Sequence, residues 1–212
     1  EKYGKENISG VAADFASATE VNHLLEQIPD LDILINNVSI FEPKSFMNIP
    51  DSDWMRFYEI NVMSGVRLSR HYLPRMLQTG WGRIIFISSE SAINIPEEMI
   101  HYGMTKTAQL AISRGLAELT KGTQVTVNAV LPGPTRSEGV SNFLKDLSET
   151  QNKTKEETES SFFQTARPTS LLQRFASVEE IANLVTYVAS PLSSATNGAA
   201  LRADGGVVKT II

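Results

Sequence analysis

The sequence contains no cysteine, so disulfides, thiolate metal ligands and cysteine nucleophiles are all excluded. Its three histidines, His23, His71 and His101, are scattered, and we expect no metal site from them. No apolar stretch approaches the ~20 residues that span a bilayer. No basic run indicates nucleic acid or an anionic membrane as a partner, and no signal-like start is visible. These absences favour a cytoplasmic protein that binds neither nucleic acid nor a membrane.

The composition is that of an ordinary globular domain. The 212 residues carry a net charge of −5, with 42% hydrophobic and 20% charged residues, which suits one domain with a sizeable core. Short apolar runs alternate with longer amphipathic stretches, a pattern that predicts βαβ units and a parallel sheet. We predict strands at 8–13, 33–36, 83–88, 126–131 and 199–203.

Helix boundaries are marked by caps, glycines and prolines. Capping boxes are predicted where Ser17 precedes Glu20 and where Ser177 precedes Glu180. We predict helices over about 17–27, 51–77, 99–120 and 177–190. His101 falls at the start of the third, where we expect it to be exposed.

Tyr102 and Lys106 form the most informative pair in the sequence. Four residues apart, they share one helix face. An ammonium group that close favours the phenolate, so we expect a lowered tyrosine pKa and a phenol suited to proton transfer. Ser89, after an apolar run, offers a hydroxyl to the same substrate oxygen. The spacing alone also suits an amphipathic helix with a buried tyrosine and a solvated lysine.

Six segments, in a fixed order, extend this pattern over nearly the whole chain. They are ILINNVS at 33–39, YEINVMSG at 58–65, IIFISS at 84–89, YGMTK at 102–106, VNAVLPGPTRS at 127–137 and ADGG at 203–206. With them the chain resembles the short-chain dehydrogenase/reductase family, in particular its 3-oxoacyl-reductase-like members. The resemblance implies an α/β fold with a doubly wound, Rossmann-like parallel sheet. It also implies NAD or NADP as cofactor, and hydride transfer between the nicotinamide and a carbonyl or alcohol carbon of a small-molecule substrate.

The resemblance also implies roles for single residues. Tyr102 would be the general acid/base, and Lys106 would lower its pKa and bind the nicotinamide ribose. Ser89 would hydrogen-bond the substrate oxygen, and Asn61 would hold a water of the proton relay. The implied cofactor contacts are Asp14, Phe15, Asn36, Tyr102, Lys106, Pro132, Gly133 and Thr135.

The sequence departs from the family pattern at two places. The family's Ala-Gly is Val38-Ser39 here, which puts larger side chains beside the cofactor. Before Asp14 we find no glycine-rich turn to seat the pyrophosphate, so we expect the N-terminal β-α-β portion, roughly 50 residues, to be absent. Strand 8–13 would then be displaced, or lie roughly 14 Å from strand 33–36. We expect weak dinucleotide binding, and the residue that distinguishes NAD from NADP would lie in the absent portion.

Residues 138–168 are polar and interrupted, and the resemblance makes them a substrate lid. We expect a long polar loop there. Arg136 and Arg167, at its ends, are candidates to attract an anionic substrate group. The apolar residues of the lid either face the substrate or pin the lid to the body; they are Phe143, Leu144, Leu147, Phe162 and Phe163.

Two other functions stay open. One is a truncated, non-catalytic homologue that acts as a binding or scaffold protein; the absent turn favours it and the intact site residues oppose it. The other is an epimerase or dehydratase of the extended branch, which the ADGG ending and the short length disfavour. The long helices over 52–77 and 99–120 resemble those that pair between subunits in the family, so we expect a homodimer or homotetramer.

Overall fold

A parallel sheet forms the centre of the structure, a computed structural model that describes residues 7–211. Its strands are β1 (Ile33–Asn36), β2 (Trp81–Ile87), β3 (Gln124–Pro132) and β4 (Ala200–Ala203), in the order β1-β2-β3-β4. All three pairings are parallel. The interior strands β2 and β3 are almost wholly buried because helices pack on both faces, which explains their continuous apolar sequences. The predicted α/β fold class is confirmed.

The helices follow the predicted alternation with the strands. They are α1 (Ala18–Gln27), α2 (Asp51–Tyr58), α3 (Ser64–Thr79), α4 (Ile100–Glu118), α5 (Glu138–Gln151), α6 (Lys155–Thr165) and α7 (Val178–Ala189). The predicted capping box of α7 is present, because Ser177 Oγ accepts from Glu180 N at 3.2 Å and Glu180 Oε2 accepts from Ser177 N at 2.8 Å. At α1 Ser17 caps as predicted, but the Glu20 carboxylate accepts from Asp14 N.

The strand predicted at 8–13 is wrong. These residues have no regular secondary structure. A strand needs a hydrogen-bonded neighbour, and none of the four strands of residues 7–211 pairs with this segment. The edge of the sheet is instead β1, where Ile33 and Ile35 are 40% and 44% exposed.

The helix predicted over 51–77 contains a π-helical turn. Glu59–Met63 lies between α2 and α3 and carries Asn61 at its centre. π-helical turns are rare and are frequently found at functional sites. The helical path then continues to Gly80, whose φ of 78° closes α3 in the left-handed conformation.

Segment 138–168, predicted to be a loop, is mostly helical, so the loop prediction was wrong. Ser137 caps α5, and Thr154 with Glu157 forms a capping box at α6. The signal was available in the sequence, because Val140, Phe143 and Leu144 repeat at the three- and four-residue spacing of an amphipathic helix. Its polar composition concealed this periodicity.

Three further observations bear on function. His101 is fully buried rather than exposed, with its ring centroid 4.1 Å from that of Phe57. Within residues 7–211, no helix is both long and apolar enough to cross a membrane. In the same range no three His, Asp or Glu side chains gather where they could hold a metal ion.

Candidate active site

A cavity of about 780 Å³ opens at the carboxyl ends of the strands. Parallel strands bring these ends to one edge of the sheet, where ligands of open α/β folds bind. Ser89 reaches the cavity because it follows β2, and Pro132 because it ends β3. Tyr102 and Lys106 reach it from the first turns of α4. The structure therefore brings the predicted serine, tyrosine and lysine together.

Tyr102 and Lys106 share one face of α4, as the spacing predicts. Lys106 Nζ lies 5.5 Å from the centroid of the Tyr102 ring. The ammonium group donates a hydrogen bond to the carbonyl of Ile87, at the end of β2, at 2.9 Å. Ser89 hydrogen-bonds Tyr102 and also accepts from Ser91 N at 3.1 Å. The tyrosine hydroxyl and the serine hydroxyl thus meet at the cavity wall.

The pKa of Tyr102 moves in the direction opposite to the prediction. Burial raises the pKa of Tyr102 to about 12, while the hydrogen bond with Ser89 acts in the lowering direction. Burial also lowers the pKa of Lys106 to about 7. Lys106 has therefore lost its proton before Tyr102 titrates, and no ammonium charge remains to favour the phenolate. At neutral pH Tyr102 is a phenol, which is the proton-donating form.

Asn61 is fully buried and holds three parts of the chain together. Its Oδ1 accepts from Ile40 N at 2.8 Å, and its Nδ2 donates to Ile40 O and to Thr105 Oγ1, each at 3.0 Å. Its main-chain carbonyl accepts from Gln109 Nε2 at 2.6 Å. Asn61 thus links the π-helical turn to the segment after β1 and to α4. The water predicted at Asn61 stays a prediction.

Of the predicted cofactor contacts, Pro132, Gly133 and Thr135 line the cavity. Gly133 has a packing reason to be glycine, since a Cβ there would lie 2.4 Å from the carbonyl oxygen of Asp204. Asn36 ends β1, and its Nδ2 donates to Ser69 at 3.4 Å. The Oδ1 atom of Asn36 is buried without a hydrogen-bond partner, and Asn36 is not among the residues that line the cavity, although Ile35 and Asn37 on either side of it are.

Asp14 and Phe15 are not brought to this cavity. Asp14 is exposed, and its Oδ1 accepts from Ala16 N at 2.9 Å in the turn before α1. Phe15 packs against the main hydrophobic core. Of the two residues that depart from the family pattern, Ser39 lines the cavity, whereas Val38 is 38% exposed.

A buried ion-pair network beside Ser89 is not evident from the sequence. Arg167 Nε donates to Glu90 Oε1 at 2.8 Å, and its Nη1 donates to Glu98 Oε1 at 3.2 Å. Burial raises the pKa of Glu90 despite this pairing. Arg167 is therefore already neutralised, and Arg136 pairs with Glu159, so neither is a free anion receptor. The one sequence signal for this network was Glu90, an acidic residue that follows the buried end of β2.

The five phenylalanine and leucine residues of segment 138–168 lie at the cavity wall or in a buried cluster. Phe143, Leu147 and Phe162 line the cavity. Leu144 and Phe163 are buried in a cluster with Phe175. Phe143 and Phe162 also pack against this cluster, so the two groups are in contact with each other.

A parallel α/β sheet with a serine, a tyrosine and a lysine at its carboxyl edge defines the class of Rossmann-like oxidoreductases. Residues 2–208 match the family model described as enoyl-(acyl carrier protein) reductase. The chain belongs to the short-chain dehydrogenase/reductase family of oxidoreductases.

Individual relatives agree with this assignment. The chain is 53% identical to the oxidoreductase YvaG of Bacillus subtilis (strain 168), over 94% of this chain and 76% of that one. It is 44% identical to YvrD of the same strain, over 100% of this chain and 81% of that one. The structure of L-sorbose reductase from Gluconobacter frateurii, with NADPH and L-sorbose, matches with a TM-score of 0.88 at 29% identity, covering 95% of this chain and 77% of that chain.

Proposed function

We propose that the chain is an NAD- or NADP-dependent oxidoreductase that interconverts a carbonyl compound and its alcohol. Tyr102 is the general acid/base, Ser89 holds the substrate oxygen, and Lys106 and Asn61 support the proton transfer. The observation that carries the proposal is the meeting of Ser89, Tyr102 and Lys106 at one wall of a cavity at the strand ends. The family membership and the named oxidoreductase relatives support the reaction class.

The cavity fits a nicotinamide cofactor. Its volume of about 780 Å³ lies in the range of small-molecule and cofactor sites. Its wall carries the hydrogen-bonding groups of Tyr102, Lys106 and Thr135. The residues that would hold the cofactor are Tyr102, Lys106, Pro132, Gly133 and Thr135, and the contact predicted for Asn36 stays a prediction. When bound, the nicotinamide supplies or accepts the hydride. For Asp14 and Phe15, adenine contacts stay a prediction.

The proton chemistry follows from the state of Tyr102. In the direction of reduction its O–H bond breaks and a new O–H bond forms on the substrate alkoxide, which leaves a phenolate. Ser89 donates a hydrogen bond to the same oxygen. The proton lost by Tyr102 is replaced through Lys106 and the polar groups around Asn61. Acid/base catalysis of this kind typically contributes about 10²–10⁴-fold.

The walls of the cavity favour a neutral carbonyl compound with an apolar substituent. Phe143, Leu147 and Phe162 supply the apolar surface from the lid. The polar side nearest Ser89 carries Glu90 and Glu98, which share one arginine. A substrate carboxylate there would meet like charge, so we propose that keto acids are poorer substrates than the matching ketones.

The test is Tyr102→Phe, measured by oxidation of NADH or NADPH with a neutral aryl ketone and the matching keto acid. We expect turnover to fall by about 10²–10⁴-fold, with dinucleotide affinity largely unchanged by fluorescence titration. Tyr187→Phe, at an exposed tyrosine of α7, is the matched control. Turnover at the wild-type rate in Tyr102→Phe would refute the assignment. Binding without turnover in the wild type would favour the scaffold alternative, and the same titration tests the expectation of weak dinucleotide binding.

We infer that the protein assembles as a homodimer or homotetramer through α3 and α4. An apolar groove of about 380 Å³ runs between these helices and includes Leu77, Leu116 and the 61% exposed Leu119. The groove agrees with the long-helix pairing that the resemblance implies. Light scattering of wild type and Leu119→Glu measures the assembly, and a monomeric wild type would contradict this inference.

A further inference from the structure

Gln109 lies one turn beyond Lys106 on α4, and its side chain is 2% exposed. Its Oε1 accepts from Lys106 Nζ at 3.4 Å, and its Nε2 donates to the carbonyl of Asn61 at 2.6 Å. An ammonium group can only donate and a carbonyl can only accept, so these two contacts fix the orientation of the amide. Gln109 therefore joins two residues of the candidate site directly, without a bridging water.

The contact with Asn61 falls on the π-helical turn. That turn widens the helix at Glu59–Met63, and the carbonyl of Asn61 accepts there from a side chain of another helix. Thr105 Oγ1, on the other side of Lys106, accepts from Asn61 Nδ2 at 3.0 Å. Two side chains of α4 that flank Lys106 in the sequence are thus tied to one residue of the π-helical turn.

Lys106 has few other polar neighbours. Within residues 7–211, its ammonium group donates to Ile87 O at 2.9 Å and to Gln109 Oε1. The titratable group in contact with it is Tyr102. Lys106 is itself 2% exposed, so these two acceptors supply the hydrogen bonds of a buried charge. Removing Gln109 Oε1 would leave a buried charge with one fewer hydrogen bond, which disfavours the charged form.

We propose that Gln109 is a positioning residue for Lys106: its amide holds the ammonium group between the Ile87 carbonyl and the π-helical turn, beneath the Tyr102 ring. The proposal extends the proposed function and rests on it, because Gln109 affects catalysis only if Lys106 does. The link also connects the charge of Lys106 to the turn that carries Asn61. Gln109 thereby favours the protonated lysine, the form that can return a proton to Tyr102.

The test is an NMR titration of Lys106 in the full chain, with ¹³C-labelled lysine and Lys106→Met to identify its signal. In Gln109→Met, which keeps the length of the side chain but removes the amide, we expect the Lys106 protonation constant to fall by about tenfold. In Gln109→Glu we expect it to rise, because a carboxylate faces the ammonium. Ser113→Ala, one turn further on α4 at a buried hydroxyl without a partner, is the control and leaves the titration unchanged.

Opposite shifts in the two Gln109 variants support the proposal. An unchanged Lys106 midpoint in either variant overturns the proposal, because it is the result expected if Gln109 only fills space. If one variant fails to fold, the titration of the other variant decides. The proposed function fails separately, through wild-type turnover in Tyr102→Phe. When the oxidoreductase is active, we also expect Gln109→Met to lower kcat at unchanged KM, with partial recovery in Gln109→Glu.

Discussion

Because Lys106 is buried, we expect the free energy of unfolding to change with pH in the alkaline range. In the folded chain burial lowers its pKa from 10.5 to about 7. Between these two pH values the unfolded chain binds a proton that the folded chain does not. The free energy of unfolding therefore rises as pH increases from 7 to 10.5. We expect Lys106→Met, which fills the same space without a titratable group, to abolish this rise.

The magnitude follows from the separation of the two pKa values. Each tenfold change in a protonation constant is worth about 1.4 kcal/mol, so Lys106 contributes up to about 5 kcal/mol across this range. Tyr102 acts in the opposite sense at higher pH, since burial raises its pKa from 10.0 to about 12. Above pH 10 the folded chain retains a proton that the unfolded chain loses, and stability falls. The two residues together predict maximal stability near pH 10.

Urea unfolding at pH 7, 8, 9 and 10, followed by circular dichroism, measures this dependence. The wild type should gain several kcal/mol over the series, and Lys106→Met should be nearly flat and more stable than wild type at pH 7. Lys121→Met, at an exposed lysine, should keep the wild-type slope. A flat wild-type series, or a Lys106→Met variant that retains the slope, would refute the reasoning.

Two further predictions concern the walls of the cavity. Gly133→Ala should destabilise the fold by about 1–3 kcal/mol, because its Cβ meets the backbone of Asp204. Gly115→Ala, at an open position in the last turn of α4, should be neutral or stabilising by thermal denaturation. Arg167→Gln should cost about 3–5 kcal/mol in urea unfolding because it leaves Glu90 buried without its cation, and adding Glu90→Gln should recover part of that cost. A cost below about 1 kcal/mol for Arg167→Gln would contradict a buried pair.

The sequence was sufficient to predict elements whose signals are local. The strand at 33–36, the capping box at Ser177 and the stop at Gly80 all depend on periodicity or on one turn of backbone, and the structure agrees. The segment 8–13 failed because a strand exists only with a neighbour, which is a property of the sheet. The π-helical turn at Glu59–Met63 was not predicted, because the helical pattern of apolar residues continues through it.

The candidate site divides in a similar way. The shared face of Tyr102 and Lys106 follows from helix geometry, and the cavity position of Ser89 from the parallel sheet. The direction of the Tyr102 pKa could not be predicted, because desolvation depends on how many elements close over the hydroxyl. The pairing of Arg167 with Glu90 spans 77 residues of sequence and depends on where the lid docks.

Neighbouring apolar residues of segment 138–168 reach both the cavity and a buried cluster, which bears on the effect of substitutions at the cavity wall. In α5 the cavity-facing Phe143 alternates with the anchoring Leu144, because adjacent residues on a helix point to different faces. Phe143 and Phe162 also pack against the cluster that contains Leu144 and Phe163, so substitutions that reshape the cavity also change the packing of the segment. A change in the shape of the cavity at this surface is therefore coupled to a change in the stability of the segment, because Phe162 both lines the cavity and packs on Phe163 and Phe175.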